Sequence, residues 1–201
     1  AVANGAAAGV AEAPVAGFLE TIAVPLIELP ELRFEAGLLA ARFYGNPSHS
    51  MHVLGVTGTN GKTTTSRIVA QLTRTLGKPC GVIGTLGATL EDGVTVASNT
   101  TPDALSLQRQ LAEWFQQDVL AVSMEVSSHA LEQGRVNGVA FETAIYTNLS
   151  HDHLDYHGTM AAYGRAKQRL FSVEGLRHAV INMDDPFGMS IKAAVAGDVQ
   201  V

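Results

Sequence analysis

Gly58, Gly61, Lys62 and Thr63 stand in the run Thr57-Gly58-Thr59-Asn60-Gly61-Lys62-Thr63-Thr64, and these residue types at this spacing suit a polyphosphate. Glycines let main-chain N–H groups reach phosphate oxygens, the Lys62 ammonium offsets their charge, and the Thr63 hydroxyl can join a hard cation beside them. The widespread phosphate loop reads G-x-x-x-x-G-K-[ST], whereas this chain has Val56 at the first glycine position and keeps the shorter Gly58-x-x-Gly61-Lys62-Thr63. A plain structural corner would account for two glycines but not for the lysine and threonines after them. The expected ligand is a nucleoside triphosphate.

Glu125 is a second candidate. Apolar Val119, Leu120, Ala121, Val122 and Met124 lead into it, which puts an acid at the carboxyl end of a strand, where open α/β sheets bind ligands. There it could hold Mg²⁺ beside the phosphates, although strand-end acids are also commonly just solvated. A third cluster, His151-Asp152-His153-Leu154-Asp155-Tyr156-His157, has three histidines but no cysteine, and its spacing fits no common structural zinc pattern. Polar loop residues are the plain alternative. Lys167 taken alone reads as a surface lysine.

These residues need elements to hold them. An apolar run at 52–56 predicts a strand, and Ile68, Val69, Leu72 and Leu76 at helical spacing predict a helix over 63–76. The glycines then fall at a strand-to-helix turn, with free amides and the positive end of the helix dipole at the phosphates. Further strands are expected at 6–12, 81–84, 119–125, 144–148 and 178–182, and helices at 32–44, 104–117 and 160–171. The helix from Ala104 has Thr101 as its expected N-cap, Pro102 at its first position and Asp103 in its first turn, with Leu107, Leu111, Trp114 and Phe115 as its buried stripe. Residues 87–98, around Asp92-Gly93, suggest a hairpin. Alternating strands and helices imply an α/β fold, a mostly parallel sheet with flanking helices.

Composition agrees. The chain has 201 residues, 46% hydrophobic and 16% charged, with a net charge of -6, enough for one substantial core. The acidic balance argues against a nucleic-acid partner or an anionic-membrane surface. No apolar run reaches the roughly 20 residues of a membrane helix, and residues 1–10 lack the basic start of a signal peptide. The single cysteine, Cys80, excludes an intrachain disulfide and points to a reducing compartment, the cytoplasm. Gly45-Asn46-Pro47-Ser48 reads as a linker.

Four stretches together resemble the Mur ligase family: residues 55–64, Asn99-Thr100-Thr101-Pro102, Met124-Glu125-Val126-Ser127-Ser128-His129, and residues 147–158. The likeness is strong over 44–188 and weaker over 1–42. It implies a phosphate-loop central domain incomplete over 46–201, preceded at 1–45 by the C-terminal part of a uridine-binding domain and a linker, with no C-terminal domain. It also implies an ATP-dependent amide ligase of peptidoglycan precursor synthesis. Such an enzyme adds a third amino acid to UDP-N-acetylmuramoyl-L-alanyl-D-glutamate through an acyl phosphate; meso-diaminopimelate is expected, with L-lysine the alternative.

On this resemblance Gly58, Thr59, Asn60, Gly61, Lys62, Thr63 and Thr64 would bind ATP. Thr63 and Glu125 would hold one Mg²⁺, and His153 with a carbamylated Lys167 a second. Asn99, Thr100, Thr101, Ser127, Gln133 and Arg135 would contact the UDP-sugar dipeptide, and Lys62, Glu125, His153 and Lys167 would carry catalysis. His151 receives no role. The expected form is a cytoplasmic monomer without membrane insertion, and the 201-residue piece alone is expected to be inactive. A folylpolyglutamate synthetase shares the chemistry but typically has Gly-Ser after the lysine, where this chain has Thr63-Thr64. A GTPase-like binding module would need Asn-Lys-x-Asp, which is absent. Another Mur ligase stays open as an alternative, as does a non-catalytic nucleotide-binding module for the isolated piece.

Overall fold

The computed structural model describes residues 5–15, 24–90, 93–95 and 99–201. The first elements are β1 (Gly9–Glu12) and β2 (Leu26–Leu29), a parallel pair, followed by helix α1 (Leu32–Phe43). Next come β3 (His52–Thr57), α2 (Lys62–Thr75), β4 (Cys80–Gly84), β5 (Gly87–Leu90), β6 (Gly93–Thr95) and α3 (Ala104–Phe115). The remainder holds β7 (Ala121–Glu125), α4 (Ser128–Glu132), β8 (Thr143–Tyr146), α5 (Leu154–His157), α6 (Met160–Gln168), β9 (His178–Ile181) and α7 (Gly188–Ala194).

Strands β3 to β9 form one sheet in the order β6-β5-β4-β7-β3-β8-β9. The β4-β7-β3-β8-β9 part is parallel, and β5 and β6 extend it as an antiparallel hairpin. The chain leaves β3 for β4 on one side and later places β8 on the other, so the strand order reverses around β3. Ligands in such sheets bind outside the carboxyl ends at that reversal, which is where the Gly58–Lys62 turn lies.

Side chains alternate between the two faces of the sheet. One face joins Val53, Ile83, Val122, Met124, Ala144 and Tyr146 to Leu107, Leu111 and Trp114 of α3 and to Leu170 and Phe171 beyond α6. Full burial stabilises each of the valine, leucine, isoleucine, methionine and phenylalanine side chains among them by roughly 1.5–3 kcal/mol. The other face packs Cys80, Val82 and Ala121 under Ala70 of α2.

The expected stripe of α2 is a correction. Ile68, Leu72 and Leu76 are 51%, 60% and 80% exposed, and the buried positions are Ser66 and Ala70. Small residues let this helix lie close to the sheet, so the larger apolar residues face outward. On α3, Leu107, Leu111 and Trp114 are buried as expected, but Phe115 is 45% exposed. The N-cap of α3 is Asp103, whose carboxylate accepts from the Ser106 N–H, and not Thr101. The antiparallel pairing of β5 with β6 agrees with the expected hairpin, whose Asp92 and residues 96–98 lie outside the described residues. Helix α6 is shorter than expected, ending at Gln168 before a 3-10 turn at Arg169–Ser172. β2, α4, α5 and α7 went unread because each is short.

Candidate functional site

Every candidate residue lies at the carboxyl edge of the sheet or on the turns and helices that follow it. After β3 the chain bends at Gly58, where φ is 151° and a Cβ would lie 1.9 Å from Thr147 Oγ1, so only glycine fits. Gly61, at φ 83°, caps α2, and Lys62 opens it. The first N–H groups of a helix have no intrahelical partner and point outward, an anion site built from backbone. Lys62 Nζ donates to Gly58 O and Thr59 O, each at 2.8 Å, so its ammonium folds over the loop. Burial lowers the Lys62 pKa from the ordinary lysine value, against the pull of Glu125 and Asp152.

A second loop, running from the end of β8, clamps the first. Asn148 O accepts from the Thr59 N–H at 2.9 Å, and Asn148 Oδ1 accepts from the Asn60 N–H at 3.0 Å. Asn60 O accepts from Thr147 Oγ1 at 2.7 Å and Asn148 Nδ2 at 3.1 Å. The Ser150 N–H donates to Thr59 Oγ1 at 3.0 Å. The amides of Thr59 and Asn60 are therefore paired with Asn148, within the run expected to wrap the phosphates.

Glu125 closes β7 and is only 1% exposed. Thr85, just past β4, donates its N–H to Oε1 at 2.9 Å and its hydroxyl to Oε2 at 3.1 Å. A Cβ at Gly84 would lie 2.1 Å from Glu125 Oε1, so the glycine admits the carboxylate. Thr85 Oγ1 also lies 3.1 Å from Thr100 Oγ1. Thr101 donates its hydroxyl to Glu125 O at 2.9 Å and accepts from the Ser127 N–H at 3.1 Å, which explains why Asp103 takes the cap. Arg135 Nη1 donates to Thr101 O at 3.2 Å and its Nε to Gln133 Oε1 at 2.8 Å, while Gln133 Nε2 donates to Tyr156 OH at 3.1 Å. Thr100, Thr101, Ser127, Gln133 and Arg135 thus form one continuous wall with Glu125. Exposed Asn99 precedes it in sequence.

Lys167 is not a surface residue: it is 1% exposed. Its Nζ donates to Gly58 O at 2.8 Å and lies 4.1 Å from the centre of the Tyr163 ring. Burial, then the Lys62 charge, push its pKa down to about 7, with Asp152 opposing. Tyr163 OH is 3.2 Å from Thr59 Oγ1, and burial raises its pKa. His153, at φ 51°, caps α5, with Nε2 3.6 Å from Asp152 Oδ2 and its ring 4.9 Å from that of His129.

The donor chemistry near the loop fits one Mg²⁺, since Thr63 and Glu125 offer oxygens and hard cations prefer them. The second expected ion does not fit Lys167 as an amine, because an ammonium repels a cation and a nitrogen donor is a poor match. Among the described residues no three His, Cys, Asp or Glu side chains converge on a metal site. Sequence reasoning missed Thr85, which holds Glu125, and Asp152, the acid that faces both lysines. A threonine after a glycine carries no sequence signal, and Asp152 lies between two histidines, His151 and His153, that draw attention from it.

A family profile, Mur ligase middle domain, matches residues 56–200. The UDP-N-acetylmuramoyl-L-alanyl-D-glutamate--2,6-diaminopimelate ligase of Alkalilimnicola ehrlichii is 52% identical over 178 residues, covering 89% of this chain and 36% of that protein. The protein of the same name from Pseudomonas aeruginosa is 50% identical, covering 94% and 39% respectively. The chain therefore spans between a third and two fifths of the length of these relatives. A solved structure of a UDP-N-acetylmuramoyl-L-alanyl-D-glutamate--2,6-diaminopimelate ligase superposes with a TM-score of 0.80 at 39% identity, covering 90% of this chain and 37% of that one. E. coli FolC in complex with ADP shares the fold, with a TM-score of 0.64 at 21% identity over 92% of this chain and 48% of that one. Profile, relatives and fold agree with the phosphate loop and its clamp: the chain belongs to the Mur ligase family and carries its middle domain.

Proposed function

We propose that this chain is the nucleotide-binding part of an ATP-dependent ligase that joins diaminopimelate to UDP-N-acetylmuramoyl-L-alanyl-D-glutamate. The observation that carries the reading is the pairing of the Gly58–Lys62 turn with a buried Glu125 held by Thr85 from the neighbouring strand end. The names of the relatives support the choice of substrates.

In this reading the terminal carboxylate of the dipeptide attacks the γ-phosphorus and ADP leaves, giving an acyl phosphate. The amine then attacks the acyl carbon, loses a proton, and phosphate leaves as the amide forms. Two anions meet in the first step, so cationic charge must be fixed where they approach. Lys62 supplies it on exchanging Gly58 O and Thr59 O for phosphate oxygens, and the first amides of α2 add their dipoles. Mg²⁺ on Thr63 and Glu125 would neutralise further charge on the phosphates. Arg135, held by Gln133 and Thr101 O, suits an anionic group of the sugar peptide; Asn99, Thr100, Thr101 and Ser127 would complete that contact.

A second Mg²⁺ on His153 requires Lys167 to become a carbamate, an oxygen donor of opposite charge. A pKa near 7 supports that conversion, because only the neutral amine adds CO₂.

The test is ligation by the intact protein supplied with MgATP, the UDP-sugar dipeptide and either meso-diaminopimelate or L-lysine. ADP and tripeptide are expected with diaminopimelate. Product only with L-lysine would overturn the choice of amino acid, and no product with either would overturn the reading.

A further inference from the structure

Asp185 has no part in the wall or the phosphate loop, yet three donors converge on it from two elements. Its Oδ1 accepts from Tyr146 OH at 2.7 Å and from the Phe187 N–H at 3.0 Å, and its Oδ2 accepts from the Leu149 N–H at 3.0 Å. Burial opposes ionisation of this carboxyl, but the Leu149, Tyr146 and Phe187 donors outweigh it and hold the pKa below the ordinary aspartate value. Leu149 follows Asn148, whose main-chain and side-chain oxygens take the Thr59 and Asn60 amides. The same turn adds a second tie, since Asn182 Nδ2 donates to Thr147 O at 2.7 Å. Its Phe187 also packs on α6, where a Cβ at Gly164 would lie 2.5 Å from the Phe187 ring.

We propose that Asp185 is a positioning residue for the nucleotide, the fixed post that holds the 147–150 loop so that Asn148 can set the shape of the phosphate loop. The connection runs Asp185 to Leu149, Asn148 to Thr59 and Asn60, and from there to Lys62, whose ammonium rests on Gly58 O and Thr59 O. A phosphate loop binds well only when its amides are already aimed, and a loop that frays must be ordered by the ligand instead. The carboxylate matters as an acceptor for three donors at once. Asparagine can accept at one atom only and leaves at least one backbone N–H unmatched.

Hydrogen exchange without ligand reads the alignment itself, and its outcome is independent of the nucleotide reading, on which only the affinity arm rests. In Asp185→Ala the Thr59 and Asn60 amides are expected to exchange at least about tenfold faster than in the native protein, while amides of β3 and β7 keep their protection. Asp185→Asn should fall between the two. Asp184→Asn, the same charge change on the exposed neighbour, should leave Thr59 and Asn60 unchanged. In the intact protein Asp185→Ala should weaken MgATP binding about tenfold and leave affinity for the UDP-sugar dipeptide within about twofold. If Asp185→Ala does not fold, Asp185→Asn carries both measurements. Native exchange at Thr59 and Asn60 in a folded Asp185 variant, or an equal loss of affinity for both ligands, overturns the proposal.

Discussion

Thr85 donates twice to one carboxylate, and this fixes the Glu125 oxygens where the phosphates would arrive. Its N–H bond is a main-chain one that valine keeps, so Thr85→Val removes the hydroxyl alone at nearly constant volume. We predict a loss of about 10- to 100-fold in activity of the intact protein, the scale of losing one group that orients a metal ligand, with little change in thermal midpoint. An undiminished rate at limiting Mg²⁺ would contradict this role. Lys167 makes a prediction about pH. Its folded pKa of about 7 lies below the lysine value of 10.5, so on raising pH the folded lysine sheds its proton first. The neutral amine should therefore add ¹³CO₂ supplied by labelled bicarbonate, releasing a proton as the carbamate forms, between about pH 6 and pH 8, before exposed lysines do. The carbamate signal should vanish in Lys167→Ala, whose lost activity short carboxylic acids should partly restore by refilling the oxygen site. A signal that persists in that variant, or normal activity without added acid, would return Lys167 to a structural role.

At the scale of elements, the strand-loop-helix unit at 52–75 and the strand ending on Glu125 were legible because composition and motif agreed there. The burial face of α2 was not. Periodicity weights large apolar residues, while close packing chose Ser66 and Ala70 and turned Ile68, Leu72 and Leu76 to solvent. Thr101 and Asp103 are both good caps, and only the carbonyl of Glu125, distant in sequence, decides which is free to cap. The wall from Thr101 to Tyr156 was partly readable through its motifs, but Thr85 and Asp185 act through contacts that no local pattern encodes. Gln108, inside α3, offers a test of the packing. It is 1% exposed, and neither atom of its amide has a hydrogen-bond partner in the described structure. An unmatched buried amide costs more than it returns, so near-isosteric Gln108→Met is expected to raise the unfolding free energy by about 1 kcal/mol, read as a higher urea midpoint at constant m. A lower midpoint would mean that the amide is matched by a partner.

At the scale of the whole molecule, a chain of net charge -6 repels a polyanion, so a nucleotide must be drawn in by local charge. The attraction is local: Lys62 and Lys167 meet at Gly58 O, and the amides of α2 open on the same side. Most of such a site is assembled at the sheet edge, since β3, β4, β7 and β8 end beside one another and supply the loops that carry Lys62, Thr85, Glu125 and Asn148, while α6 adds Lys167. The 201-residue polypeptide should therefore bind MgADP and MgATP by calorimetry, more weakly as salt rises, and Lys62→Ala should abolish that binding without unfolding the protein. Amide formation asks for more. The carboxylate, the γ-phosphate and the incoming amine must be held together, and the advantage of doing so is lost if any one is free to diffuse. The relatives are more than twice as long as the region they share with this chain. We predict nucleotide binding without ligation for this polypeptide, read by tripeptide formation from radiolabelled diaminopimelate; product at the rate of an intact relative would show that the middle domain by itself holds all three reactants.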